Sequence, residues 1–197
     1  MTTALIITDL QYDFLPGGPL AVTGGDEIVP EINRLSKEYD LVVATQDWHP
    51  YNHGSFASQH EDSQLFEMGE LAGTPQVFWP DHCVQGTPGA ELTRELDQER
   101  VEAIFRKGMD PEIDSYSAFF DNGHLKATGL EGYLKGRGVS EVHVCGLAAD
   151  YCVWFTAKDA ISLGFETVIL LDAVRAIDPV GFEKIKLEFL EMGGRLI

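Results

Sequence analysis

Five short apolar runs recur along the chain, separated by stretches of helical period, and this alternation limits the fold more than any other feature. The runs are ALIITDL at 4–10, DLVVATQD at 40–47, VEAIF at 101–105, EVHVCGL at 141–147 and TVILLDA at 167–173. Near-continuous apolarity fits strands covered on both faces, as in a parallel sheet. Between them, EIVPEINRLSKEY, AELTRELDQE, LEGYLKGRG, DYCVWFTAKDAISLG and GFEKIKLEFLEMGG carry the spacing of amphipathic helices. Gly138, Gly164 and Gly193 stand where helix ends favour a residue tolerant of positive φ. Strand alternating with helix predicts an α/β, doubly wound, mostly parallel sheet flanked by helices, with GRLI as its last strand. A chain of 197 residues can bury one substantial core, so a single domain over 1–197 is expected.

Charge narrows the partners. Fourteen Lys and Arg are scattered among 32 Asp and Glu, giving a formal net charge of -18. A nucleic-acid binder needs a clustered basic face to displace counterions, so no nucleic-acid partner is expected. No apolar run is long enough to span a bilayer, and the start MTTALIITDLQYDF lacks the basic opening of a signal peptide. Cys83, Cys145 and Cys152 are odd in number and form no C-x-x-C pair. Reduced thiols are therefore expected, in keeping with a cytoplasmic protein without a membrane partner. The sequence leaves open whether copies assemble into a homo-oligomer.

The segment from Trp48 to about Gly89 breaks the rhythm, being rich in His, Pro, Gly and aromatic residues with little period. Aperiodic segments of that length inside a compact domain are usually functional or disordered, and the ligand-type side chains here favour function. Open parallel sheets bind ligands beyond the carboxyl ends of their strands. The residues at those ends are Asp9; Asp47 with His49; Lys107; GLAADYC ending in Cys152; and Asp172. Together they hold a nucleophile, a base, a cation and metal ligands.

Asp150 is a good N-cap residue, which would put Cys152 in the first turn of a helix, where the dipole favours a thiolate. A cysteine nucleophile needs a proton acceptor; Asp9 can serve, with Lys107 lowering the thiol pKa, and one of the six histidines is the alternative. In TQDWHPYNHGSF, Asp47 and His49 are two apart, so in an extended segment their side chains point the same way. A carboxylate with imidazoles suits zinc, and also iron or manganese; His53, His60 and His82 are candidates for the third ligand.

With these pieces in place, the chain resembles the nicotinamidase, or pyrazinamidase, family of isochorismatase-like cysteine hydrolases. The resemblance runs through TDLQYDFLPGGPLAV, TQDWHP, WPDHCVQGTPGAEL, RKG, YSAF, GLAADYCV and LLDA, in that order. It implies a catalytic trio of Asp9, Lys107 and Cys152, with Asp47, His49 and His82 as ligands of one divalent metal, zinc first and iron or manganese next. His53 matches a further histidine that some members use as a ligand. Phe14, Trp79 and Tyr116 match the aromatic residues around the substrate ring. The Leu147–Ala148 bond matches a cis peptide, with the Ala148 and Cys152 N–H groups as an oxyanion hole. The implied activity is hydrolysis of nicotinamide, and of pyrazinamide, through a thioester. Ala149 departs from the threonine many members carry there, which touches a supporting hydroxyl and no reacting group.

Overall fold

The computed structural model describes residues 2–197. The chain opens with β1 (Thr2–Thr8), whose Ala4–Thr8 portion is buried throughout. Helix α1 (Val29–Leu35) carries Pro30 in its first turn, where a missing N–H forfeits no intrahelical bond, and leads to the fully buried β2 (Leu41–Asp47). A short antiparallel hairpin follows, β3 (Met68–Leu71) and β4 (Thr74–Val77). Then come β5 (Ala103–Lys107), α2 (Leu130–Gly136), β6 (Val139–Leu147), α3 (Trp154–Ser162), β7 (Glu166–Arg175), α4 (Pro179–Glu191) and β8 (Arg195–Leu196).

Six strands form one sheet in the order β5-β2-β1-β6-β7-β8, with every adjacent pair parallel. The doubly wound, mostly parallel sheet expected from the alternation is thus present. From β1 the chain steps outward to β2 and β5, then returns to the other flank for β6, β7 and β8. The right-handed crossover rule puts α1 on one face and the helices of the second half on the other. Leu5, Ile6, Ile7, Leu41, Leu130, Phe119 and Phe189 are at most 2% exposed and anchor the core between these layers. Each such side chain contributes about 1.5–3 kcal/mol relative to an exposed one.

The reversal of strand order falls between β1 and β6, and their carboxyl ends are locked together there. Thr8 Oγ1 donates to the carbonyl oxygens of Cys145 (2.8 Å) and Leu147 (3.1 Å). Gly146, at φ +105°, lies so close that an added Cβ would stand 2.0 Å from the Thr8 carbonyl oxygen. The Leu147–Ala148 peptide immediately after is cis, as the resemblance implied.

Three local expectations are corrected. Residues 90–99 form no α-helix: single 3-10 turns at Pro88–Ala90 and Gln98–Arg100 flank a stretch held against the β1 exit. Thr93 N–H donates to the Leu10 carbonyl (2.8 Å), and Leu92 and Leu96, whose i,i+4 spacing mimics a helix, are buried there. Asp172 does not reach the site; it lies inside β7 with an exposed side chain. Asp150 does not cap α3, because the turn before α3 is a π-turn over Ala149–Val153 that begins after Ala148. The Asp150 carboxylate instead accepts the N–H groups of Ile177 (2.9 Å) and Asp178 (2.7 Å), tying the β7–α4 connection to this turn.

Candidate active site

Four strand ends converge where the strand order reverses. Asp9 leaves β1 with a left-handed φ of +47°, and its carboxylate accepts from Thr45 Oγ1 of β2 at 2.6 Å. Lys107 is the last residue of β5, and its ammonium is wholly enclosed. Its Nζ lies 2.9 Å from Asp9 Oδ2, 2.5 Å from Asp47 Oδ1, 3.0 Å from the Ser115 carbonyl and 3.4 Å from Cys152 Sγ. Carboxylate oxygens of Asp9 and Asp47 and the Cys152 sulfur all lie within 4.8 Å of one another. Residues nearly 150 positions apart in sequence are thereby within proton-transfer reach.

The electrostatics follow from burying two acids, a lysine and a thiol together. Burial opposes the charge on Lys107, but Asp47 and Asp9 outweigh it and hold the ammonium well above its ordinary range. Burial likewise works to raise Asp47, yet Lys107 and then His49 hold that carboxyl below its ordinary value. For Asp9 burial prevails over the pull of Lys107, and the carboxyl is raised. Burial also pushes the Cys152 thiol well above its usual range against Lys107. The lowering expected from Lys107 is present, but burial outweighs it. Two raised groups side by side are suited to passing a proton between them.

Beside this cluster stands the second constellation. His49 Nε2 lies 3.7 Å and His82 Nε2 4.0 Å from Asp47 Oδ2, and the three form one convergent donor set. Their other ring nitrogens are fixed by backbone carbonyls, His49 Nδ1 on Gly108 (2.8 Å) and His82 Nδ1 on Pro80 (2.7 Å). Gly108 has to be glycine, since an added Cβ would sit 2.3 Å from the His49 ring. Burial first and His49 second lower His82 and His53 to about 4, so both imidazoles are neutral near pH 7. His49 is raised, Asp47 outweighing its burial. Imidazole nitrogens with one ionised carboxylate, oriented by second contacts, fit a first-row divalent ion.

His53 falls in an adjoining trio with His49 and Asp114, not with Asp47 and His82. Its Nδ1 accepts from Ser55, while its buried Nε2 has no hydrogen-bond partner. His60 is set apart: its Nε2 meets the Gly54 carbonyl at 2.7 Å and its ring stacks on Phe78.

A narrow cleft opens beside these groups, bordered by Phe14, Trp79, Tyr116, Ala148, Asp47, His82 and Cys152, with Leu20, Asp114, Tyr151 and Ile177 completing it. All three expected aromatic residues therefore line one cavity with the thiol and two of the donors. Sequence reasoning missed Asp114, which carries no periodic or motif signal, and Thr45, hidden in an apolar strand pattern. The arrangement places a flat apolar slot over a thiol, a proton acceptor and a cation, which suits attack on a carbonyl carbon attached to a planar ring.

Comparison with known proteins agrees with this geometry. The Isochorismatase domain model matches residues 3–197. A nicotinamidase of Acinetobacter baylyi is 51% identical over 178 residues, 90% of this chain and 83% of the relative. The structure of an Acinetobacter baumanii nicotinamidase/pyrazinamidase superposes with a TM-score of 0.96 at 46% identity, over 100% of this chain and 95% of that one. A pyrazinamidase of Pyrococcus horikoshii in complex with zinc matches with a TM-score of 0.82 at 38% identity, over 100% of this chain and 99% of that one. Matched by the family model over nearly its whole length, and sharing about half its residues with a nicotinamidase, the chain belongs to the isochorismatase family and to the nicotinamidases within it.

Proposed function

We propose that the chain performs its nicotinamidase reaction as a metal-dependent cysteine amidohydrolase, converting nicotinamide to nicotinate and ammonia through a thioester on Cys152. The observation that carries this reading is the contact of one buried ammonium, Lys107, with both Asp9 (2.9 Å) and Cys152 (3.4 Å), the sulfur residue itself bordering an aromatic cleft.

Phe14, Trp79 and Tyr116 sandwich the pyridine ring and exclude water. Asp47, His49 and His82 would hold the ion, and His53 and Asp114 adjoin that trio through His49. A bound ion would supply a Lewis acid for the ring nitrogen, while the aromatic walls hold the carboxamide beside Cys152. Asp9 takes the thiol proton, and the sulfur attacks the amide carbon. Negative charge gathers on the carboxamide oxygen, toward the Ala148 and Cys152 N–H groups; one such donor is typically worth about 3–4 kcal/mol of barrier. Lys107 keeps a positive charge beside the sulfur and Asp9 throughout. The carbon–nitrogen bond then breaks as Asp9 returns its proton to the leaving nitrogen, releasing ammonia. Asp9, ionised again, deprotonates a water that splits the thioester to nicotinate and the free thiol.

Zinc is the ion the donor set favours, and the zinc complex of the Pyrococcus relative supports it. The ring contacts are apolar and tolerate a second ring nitrogen, so pyrazinamide is a substrate as well. The activity places the chain in salvage of the pyridine ring for NAD synthesis. Three free cysteines accord with a reducing, cytoplasmic setting, and among the described residues no helix is long and apolar enough to cross a membrane. The test is to incubate purified protein with nicotinamide and assay ammonia and nicotinate while measuring bound metal on the same sample. Equimolar products lost on chelation and restored by zinc are expected; turnover indifferent to chelation would remove the metal from the reading.

A further inference from the structure

The β3–β4 hairpin belongs to no strand pairing of the main sheet, yet one of its side chains reaches the cleft wall. Gln76, on β4, is 1% exposed. Its Nε2 lies within donating distance of Tyr116 Oη (2.9 Å), Asp114 Oδ2 (3.0 Å) and the Val77 carbonyl oxygen (2.8 Å). Trp79 Nε1 donates to the same Tyr116 oxygen at 3.2 Å. The Tyr116 hydroxyl is therefore a shared acceptor that joins two of the three cleft aromatics, and Gln76 is the group that fixes it from behind. Tyr151 packs edge-on against both rings, with centroids 4.9 Å from Trp79 and 5.4 Å from Tyr116, so a shift of either ring is passed to the other.

We infer that Gln76 is a positioning residue for the aromatic amide substrate: it acts through the Tyr116 hydroxyl to set the angle between the Tyr116 and Trp79 rings, and so the width of the slot. The inference rests on the nicotinamide reading of the cleft. Gln76 has no place among the reacting groups. Its loss should therefore weaken ring binding while leaving the thiol, Asp9 and Lys107 undisturbed. Removing a buried donor or its acceptor costs an amount that corresponds to a roughly three- to tenfold rise in KM.

The test is a double-mutant cycle on steady-state nicotinamide hydrolysis by the metal-loaded protein, with Gln76→Met and Tyr116→Phe alone and combined. Each single variant should raise KM by that factor with kcat within about twofold, and the double variant should be impaired by less than the product of the two single effects, because both remove the Gln76–Tyr116 contact. A merely structural glutamine predicts otherwise: effects that multiply, or a loss of thermal stability with KM unchanged. Either result overturns the inference. Should Gln76→Met fail to fold, Tyr116→Phe decides alone, since an unaltered KM there removes the hydroxyl from the pathway. A wild-type protein that releases no ammonia would instead defeat the nicotinamide reading itself, which keeps the two failures apart.

Discussion

The buried Lys107 ammonium stands 3.4 Å from the Cys152 sulfur. It also contacts the buried carboxylates of both Asp9 and Asp47. Lys107→Met keeps most of the side-chain volume and leaves those two acids facing each other uncompensated. Breaking a buried ion pair from one side costs about 3–5 kcal/mol. A clearly lower urea midpoint together with loss of turnover is expected, and an unchanged midpoint would argue that the acids are neutral in the folded chain.

The imidazoles give the metal-free protein a defined acid response. Folded His53 and His82 accept a proton only at about 4, whereas in the unfolded chain they do so at about 6.5. Between those values the unfolded chain binds more protons, so stability falls as pH is lowered from about 6.5 to about 4. His49 is shifted upward, so its effect lies above about 6.5, where its stabilising contribution is lost as pH rises. Urea midpoints across this range should show the acid-side slope, and His82→Gln should flatten it. An equally steep slope in that variant would mean the imidazole is not buried in neutral form.

Metal content separates the histidines. His49→Ala and His82→Ala should each lose most of the bound ion, because each removes one donor of a convergent trio. His60→Ala should retain it, since that ring is committed to Gly54 and Phe78. Elemental analysis after gel filtration reads the difference, and full stoichiometry in His82→Ala would reassign the third donor.

Asp150 tests the correction made to its role. With its carboxylate on the Ile177 and Asp178 N–H groups, Asp150→Ala leaves two backbone donors without their acceptor. The expected loss is about 1–3 kcal/mol in chemical denaturation. If the residue were a simple helix cap, Asp150→Ser would preserve stability; the present geometry predicts that it does not, because serine is too short to reach both groups.

Much of the site was legible because its residues follow strands. Asp9, Asp47 and Lys107 sit at or just past the ends of apolar runs, and a parallel sheet gathers all such ends on one edge. Cys152 could be placed for the same reason, one turn beyond β6. The misreadings arose where tertiary contacts override local pattern. Leu92 and Leu96 have helical spacing but are buried on a non-helical segment whose Thr93 N–H bonds to the Leu10 carbonyl, and Asp172 follows an apolar run that simply continues as strand. Burial also works against the expected lowering of the Cys152 thiol, because the environment of a side chain is set by segments distant in the chain. The Gln76–Tyr116–Trp79 link was invisible for that reason too: it joins a hairpin to a loop across 40 residues with no periodic signature.

The account turns on Cys152 carrying the acyl group during turnover. Protein mixed with nicotinamide and quenched in acid within a single turnover should, by intact-mass and peptide mass spectrometry, show a nicotinoyl adduct on Cys152 alone. Cys152→Ala should show no adduct and no ammonia release while keeping its fold and metal. An adduct on another residue, or steady ammonia release from Cys152→Ala, would contradict it.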